Sequence, residues 1–336
     1  MARLDLPALT QWITAAAVAQ PRDLAGAICA RTGVSRVTAR RTLKRLVELN
    51  WLVSTGSTRK PCHEPGLLRQ VVRIYTLDGL AEDRVWSRDF APCFKLPAAV
   101  QRMVQHALTE LVNNAIDHSG GTSVTVSLRQ TPQHAQLLVS DDGRGLFEQI
   151  DRHFGLDDPM LAMLELGKGK LTSQPDRHSG RGLYFTARMA DVFDLHANEA
   201  AFQRRAWDAD GFVAGRPLKR QGTSVYAAIA LDTTRTLESV LQSHSEDGRS
   251  YGFDRTRVPL RLITTDSDGL ESRAQARRVA ARLDSFKRAE IDFHGVPYIG
   301  HGFADELFRV QASDALRLVP INMSPAVAAM IASVSA

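Results

Sequence analysis

Residues 110–118 read ELVNNAIDH, residues 139–146 read VSDDGRGL and residues 180–191 read GRGLYFTARMAD. The first stretch closes a long amphipathic run, PAAVQRMVQHALTELVNNAIDHS, that predicts one helix. At helical spacing Glu110, Asn114 and Asp117 or His118 fall about one turn apart on a single face. A carboxylate and a carboxamide placed this way can hold Mg²⁺ and orient a water, whereas either alone would mean little. The second stretch ends the apolar run AQLLVS, so Asp141 closes a predicted strand and Gly143 and Gly145 follow it. The third opens a helix with Gly180 and Gly182, and the free N–H groups of a helix start suit phosphate. Singly, each stretch is commonplace, because GRG recurs by chance and an Asp before glycine usually marks a turn.

In this order, with a loop of about thirty residues before the third, they resemble the nucleotide site of one superfamily. It contains DNA gyrase, the large heat-shock chaperones, histidine kinases and MutL. A fourth stretch, GTSVYAAIAL at 222–231, resembles its closing Gly-Thr strand. The resemblance covers about residues 95–231 and implies a Bergerat-type α/β sandwich that binds ATP with Mg²⁺. It makes Glu110 the general base that polarises water, and Asn114 the Mg²⁺ ligand. Asp141 would accept from the adenine amino group, with Thr223 supporting that contact through water. Gly143 and Gly145 would let the backbone approach the base, while Gly180, Arg181, Gly182 and Leu183 would cradle the phosphates. The resemblance is nearest to the gyrase subclass, which implies an Asp117–Arg144 pair beside the adenine. Residues 146–179 would form a mobile lid. Lys168 or Lys170 within it could reach the γ-phosphate, although a solvated GKGK turn is the simpler reading. A carboxylate at 110 points to slow hydrolysis, or to phosphorylation of Ser or Thr, rather than to histidine phosphorylation.

Around this centre, 336 residues at about 150 per domain allow two or three domains. With 44% hydrophobic and 24% charged residues the chain can fill packed cores. No stretch approaches the roughly 20 apolar residues of a membrane helix. The three cysteines, Cys29, Cys62 and Cys93, are widely spaced, which argues against a disulfide framework and for a reducing, cytoplasmic setting.

The formal charge of +5 is uneven. Residues 1–90 hold 14 Lys and Arg against 8 Asp and Glu, while the other 246 residues hold 28 against 29. A polyanionic partner is therefore to be sought at the N-terminus. Residues 23–50, DLAGAICARTGVSRVTARRTLKRLVELN, carry two apolar helical stripes broken at TGVS. Gly33 permits the turn and Ser35 is a good cap for the second helix. That helix would present Arg36, Thr38, Arg40, Arg41, Lys44 and Arg45 to phosphates and base edges. Two β-rich runs, WLVSTGSTRKP and LRQVVRIYTL, surround a basic tip with Arg59 and Lys60. Helices followed by a basic hairpin resemble the winged helix-turn-helix domains of bacterial regulators, which implies binding to double-stranded DNA.

Beyond a polar stretch at 232–256, the runs PLRLITT, ESRAQARRVAARLDSF, AEIDFHGV, GHGFADELFRVQ, LRLVPINM and PAVAAMIASV alternate strand and helix. IDFHGVPYIGHGFADELFRV resembles the STAS fold of anti-sigma-factor antagonists, in its STAS-like variant, and implies a protein-contact role. Where those antagonists place a phosphorylated Ser or Thr, this chain has Gly300, His301 and Gly302. The expected architecture is α+β and multidomain: a winged helix over 1–80, an ATPase domain over 81–232 and a STAS-like domain over 257–336. The expected function is an ATP-driven switch that couples nucleotide state to DNA binding, with homodimer formation open. The alternative is a serine/threonine kinase or partner-switching regulator whose winged helix is only a scaffold.

Overall fold

The computed structural model describes residues 4–57, 60–172, 180–208, 211–264, 268–311 and 315–334. The chain divides into two compact units, Met1–Gly143 with Ser224–Thr234, and Arg144–Thr223 with Arg235–Ala336.

The first unit starts with helices α1 (Leu6–Ala19), α2 (Leu24–Thr32) and α3 (Arg36–Glu48). Leu9, Trp12, Ile13, Leu24, Ile28, Leu43 and Leu46 close over one another as their core. Gly33 ends α2 in the left-handed region at φ 71°, and the Ser35 hydroxyl accepts from the Thr38 N–H to start α3. A hairpin follows, β1 (Leu52–Ser57) antiparallel to β2 (Lys60–Pro65).

The second β-rich run expected in the hairpin has a different partner. As β3 (Arg69–Thr76) it pairs residue for residue with β4 (Ser123–Gln130). Its buried end explains the choice. Val71 is fully buried, and the Arg69 guanidinium donates to the Cys93 carbonyl, which a solvated hairpin could not supply, as well as to the nearby carbonyls of Pro65 and Gly66. The short helix α4 (Glu82–Arg84) then leads through a π-helical turn, Val85–Phe90, towards α5 (Ala98–His118).

Helix α5 buries Val100, Met103, Val104, Ala107, Leu108, Leu111, Val112 and Ala115, a stripe at three- and four-residue spacing. It packs on β5 (His134–Asp141), which lies antiparallel between β4 and the returning strand β9 (Thr223–Ala230). Val124, Val126 and Leu128 of β4 stand opposite Asp141, Val139 and Leu137 of β5 in the ladder. Their period of two gives the sheet its buried face.

The second unit opens with α6 (Leu146–Phe154), α7 (Pro159–Lys168) and α8 (Gly182–Met189). The antiparallel strands β6 (Val192–Ala197), β7 (Ala200–Arg205) and β8 (Phe212–Ala214) follow. Residues 232–256 form more than a connector. Helix α9 (Leu237–Gln242) is closed by a Thr236–Ser239 capping box, and Phe253 is buried.

The C-terminal alternation folds as a three-stranded parallel sheet in the order β10 (Arg255–Pro259), β11 (Arg288–Asp292), β12 (Arg317–Ile321). Its helices are α10 (Arg273–Ala280), α11 (His301–Asp305), which continues as a π-helical turn, and α12 (Pro325–Val334). The first strand lies earlier than PLRLITT suggests. Thr256 and Val258 are its buried pair, Pro259 ends it for want of an N–H, and Leu260–Ile263 form a 3₁₀ turn.

Candidate functional site

In the first unit, Glu110, Asn114, Asp117 and His118 lie half-buried along α5. One turn before Glu110 stands His106, which the motif reading passed over. Its Nε2 is buried without a hydrogen-bond partner among the described residues, and burial lowers its affinity for a proton against the pull of the Glu110 charge. The spacing of four residues from Glu110 is the signal that could have found it.

Strand β5 delivers Asp141 to its end, 7% exposed, where Oδ1 accepts the Gly143 N–H at 2.9 Å. A β-carbon at Gly143 would run into the Ser119 carbonyl at the C-cap of α5. Only glycine lets the chain after Asp141 lie against the end of the helix that carries Glu110 and Asn114. Asp142 anchors the same loop. Backbone and hydroxyl donors of Ser123 and Thr122 reach it at 2.7–2.9 Å and hold its carboxyl far below the usual range. The Ser140 and Ser224 hydroxyls bond to each other and tie β5 to β9.

The second unit carries the other motif residues. Arg144 is exposed, and its carbonyl accepts from the Asn198 carboxamide at 2.6 Å. The same carboxamide takes the Gly222 N–H at 3.0 Å. Asn198 thus bridges the Arg144–Gly145 turn to Gly222 and half-buried Thr223, a link that sequence spacing does not reveal. Gly145 needs its positive φ of 91° and its missing side chain, since a β-carbon would strike Asn198.

Gly180 has φ 62° and presses on the backbone of Lys170 and Leu171, and its carbonyl accepts the Lys170 N–H at 3.1 Å. Arg181 is the N-cap of α8, Gly182 its buried first residue and Leu183 its half-buried second. The stretch expected as a lid holds α6 and α7, and its residues 173–179 lie outside the described ones.

The two lysines of that stretch are engaged elsewhere. Lys168 is 1% exposed, ion-paired with Glu165, and donates to the carbonyls of Arg278 at 3.2 Å and Ala281 at 2.9 Å. Burial pulls its ammonium below the ordinary lysine value against the pull of Glu165. Lys170 donates to the Ser285 carbonyl at 2.5 Å and stands over the Phe286 ring. Neither is a solvated turn residue.

On the N-terminal helices Arg36, Arg40, Arg41, Lys44 and Arg45 are exposed on α3 and Thr38 is half-buried. Arg45 pairs with Glu48 at 3.3 Å. Lys60 is exposed at the start of β2, and Arg59 lies outside the described residues.

Comparison with known proteins agrees with two of these regions. Residues 76–202 match the family described as a histidine kinase-like ATPase domain. Residues 275–328 match a STAS-like domain of unknown function. Among curated proteins, Sensor protein VraS of Staphylococcus aureus (strain COL) is 30% identical over 86 residues, 25% of this chain and 25% of that protein. Sensor protein VraS of Staphylococcus haemolyticus (strain JCSC1435) is 30% identical, and that of Staphylococcus saprophyticus 28% identical, over 86 residues with the same coverage. The chain spans about a quarter of the length of these curated relatives. No described helix is long and apolar enough to cross a membrane. The chain therefore carries a histidine kinase-like ATPase domain and a STAS-like domain.

Proposed function

We propose that the protein is an ATP-binding, slowly ATP-hydrolysing regulatory switch whose nucleotide state adjusts DNA binding by its N-terminal helices. The observation that carries the nucleotide part is the way Gly143 seats the Asp141 loop on the end of α5. That contact joins an adenine-reading carboxylate to the helix bearing Glu110 and Asn114. In this reading Asp141 accepts from the adenine amino group, with Thr223 supporting it, and Gly143 and Gly145 leave room for the base. Asp117 and Arg144 are the candidate pair beside it. Gly180, Arg181, Gly182 and Leu183 serve the phosphates at the start of α8.

The donor set fits Mg²⁺ brought in with a nucleotide. Among the described residues no group of three or more His, Cys, Asp or Glu could hold a metal unaided. Asn114 would supply one ligand, with phosphate oxygens and water completing the shell. Bound Mg²⁺ would draw charge from the phosphates. Glu110 would orient and deprotonate the attacking water.

DNA recognition rests on α3, whose basic side chains face solvent, with β1 of the hairpin packed against it and Lys60 exposed at the start of β2. A second reading draws on the STAS-like domain in the same chain: a protein kinase or partner-switching factor in which the N-terminal helices are a scaffold. Phosphate release from MgATP, with and without duplex DNA, separates the two. Glu110→Gln should lower release by ~10²–10⁴-fold with ATP still bound. Asp141→Asn should weaken ATP by up to about a hundredfold, because two donors then face each other. Transfer of the γ-phosphate to a protein would favour the second reading, and unchanged ATP affinity in Asp141→Asn would remove the site assignment.

A further inference from the structure

The second unit holds a half-open cavity of about 610 Å³ that the nucleotide reading does not use. Its wall takes Arg188 from the last turn of α8, Arg204 from β7, and Arg255 and Arg257 from β10. Carboxylates answer two of the four. Arg255 donates to Glu290 at 2.8 Å, and Arg257 grips Asp292 at 2.6 and 2.9 Å. Asp292 is further occupied by the Asn322 carboxamide at 2.8 Å, and the third carboxylate of the wall, Asp208, is exposed.

Arg188 and Arg204 are different. Among the described residues neither reaches a carboxylate. Arg188 lies 3.2 Å above the Tyr184 ring and donates weakly to the carbonyls of Tyr184 at 3.3 Å and Gly167 at 3.4 Å. Arg204 turns one terminal nitrogen to the carbonyls of Ala187 at 2.9 Å and Ala190 at 3.4 Å. The C-terminal end of α8 offsets part of the cost of these charges. Most of their five N–H donors each make no hydrogen bond among the described residues, and both side chains line the cavity.

The excess of positive charge marks its neighbours. Burial first, and then the nearby Arg204 and Arg257, pull Arg188 down to about 10, still charged at neutral pH. Burial and the Arg188 charge push His244, also in the wall, down to about 4, so it adds no charge of its own.

We propose that this cavity binds a small phosphate-bearing anion, with the guanidiniums of Arg188 and Arg204 and the Nη1 end of Arg257, which Asp292 leaves unbonded among the described residues, as its ligating groups. Planar forks of donors suit phosphate oxygens, and the volume lies within the range of small-molecule sites, ~300–1,000 Å³. The proposal does not depend on the nucleotide reading. It does give α8 two ends of interest, since the helix opens at Gly182 and carries Arg188 in its last turn. The wall opposite belongs to the C-terminal parallel sheet, so an occupant would tie that sheet to α8.

The test uses the full chain labelled with 5-fluorotryptophan. Trp207, 73% exposed, lies between Ala206 and Asp208, which both line the cavity. Its ¹⁹F resonance, assigned with Trp207→Phe, should shift saturably with inorganic pyrophosphate while those of Trp12, Trp51 and Trp86 stay in place. Arg204→Gln and Arg257→Gln should each weaken that shift tenfold or more, Arg204→Lys should fall between, and Asp141→Asn should leave it intact. Should Arg204→Gln disturb the three reporter tryptophans, Arg257→Gln carries the test, because its side chain is 45% exposed. A Trp207 resonance that never saturates, or that saturates equally in Arg257→Gln, overturns the proposal. Equal affinity for citrate overturns the assignment to phosphate.

Discussion

Helices α3 and α10 begin with the same pattern and end with opposite electrostatics. One reads SRVTARRTLKRL from Ser35, the other SRAQARRVAARL from Ser272. Both serines cap their helix by accepting an N–H three residues on, and Ala39 and Ala276 are both fully buried. On α10 two of the arginines meet acids from the next helix. Arg273 donates to Asp305 at 3.1 Å and Arg277 to Glu306 at 3.0 Å, carboxylates only 6% and 3% exposed. On α3 Arg36, Arg40, Arg41 and Lys44 have no ion pair among the described residues, and Arg45 finds only Glu48 on its own helix. A basic helix is therefore no sign of a nucleic-acid surface by itself. What counts is whether the fold supplies the counter-charge from within.

Buried pairs should be structural, and groups that keep unbonded donors free for a ligand, which can be tested from the deepest pair outward. Lys168→Ala leaves Glu165 buried with Arg282 alone, 3.1 Å away. Losing one partner of a buried pair costs about 3–5 kcal/mol. Urea denaturation should show that loss while ATP affinity of the folded protein stays unchanged. A weaker ATP affinity would restore Lys168 to the nucleotide.

Next in size is the DNA contrast. Replacing Arg40, Arg41 and Lys44 with alanine together should cut duplex affinity by about a hundredfold and flatten its salt dependence by ~0.9 per lost phosphate contact. Arg277→Ala with Arg278→Ala should leave duplex binding as it was. Equal losses in the two variants, read by fluorescence anisotropy at fixed salt, would erase the distinction between the helices.

Stability should invert that order. Arg277→Ala leaves Glu306 with the Gln311 carboxamide but without its ion pair and should lower the melting temperature, whereas Arg40→Ala should shift stability by no more than about ±0.5 kcal/mol. Calorimetry of the two single variants decides it.

The smallest effect is with pH. Hydrogen bonds from Arg309 to Asp305, and from Arg277 and Gln311 to Glu306, hold both carboxyls below the usual range. Groups depressed on folding contribute stability that is full above the unfolded value, near 4, and is lost as pH falls through the folded one. The C-terminal module should thus loosen below about pH 4, a change followed by hydrogen exchange in β11. Helix α3, with no such acids, should show no matching step.

How far each region could be read beforehand follows the range of the forces involved. The face of α5, the strand ending at Asp141, the Ser35 cap and the alternation of the C-terminal module rest on contacts within a few residues, so periodicity and caps exposed them. The pairing of β3 with β4 did not show, because LRQVVRIYTL is an equally good strand in a hairpin or a sheet. Lys168 and Lys170 looked like a polar turn since the carbonyls that hold them lie more than a hundred residues away.

The sequence by itself determined the order of the elements, the helix face with Glu110 and Asn114, and the Gly33 turn with its Ser35 cap. Those are properties of neighbours in the chain, set by sterics and hydrogen-bond geometry. Tertiary structure alone decided which charges are neutralised. Asp305 answers Arg273 and Asp292 answers Arg257 across about 30 residues of chain, while among the described residues Arg188 and Arg204 reach no carboxylate. The free energy of a charge depends on what stands within a few ångströms of it, and folding chooses those neighbours from the whole chain.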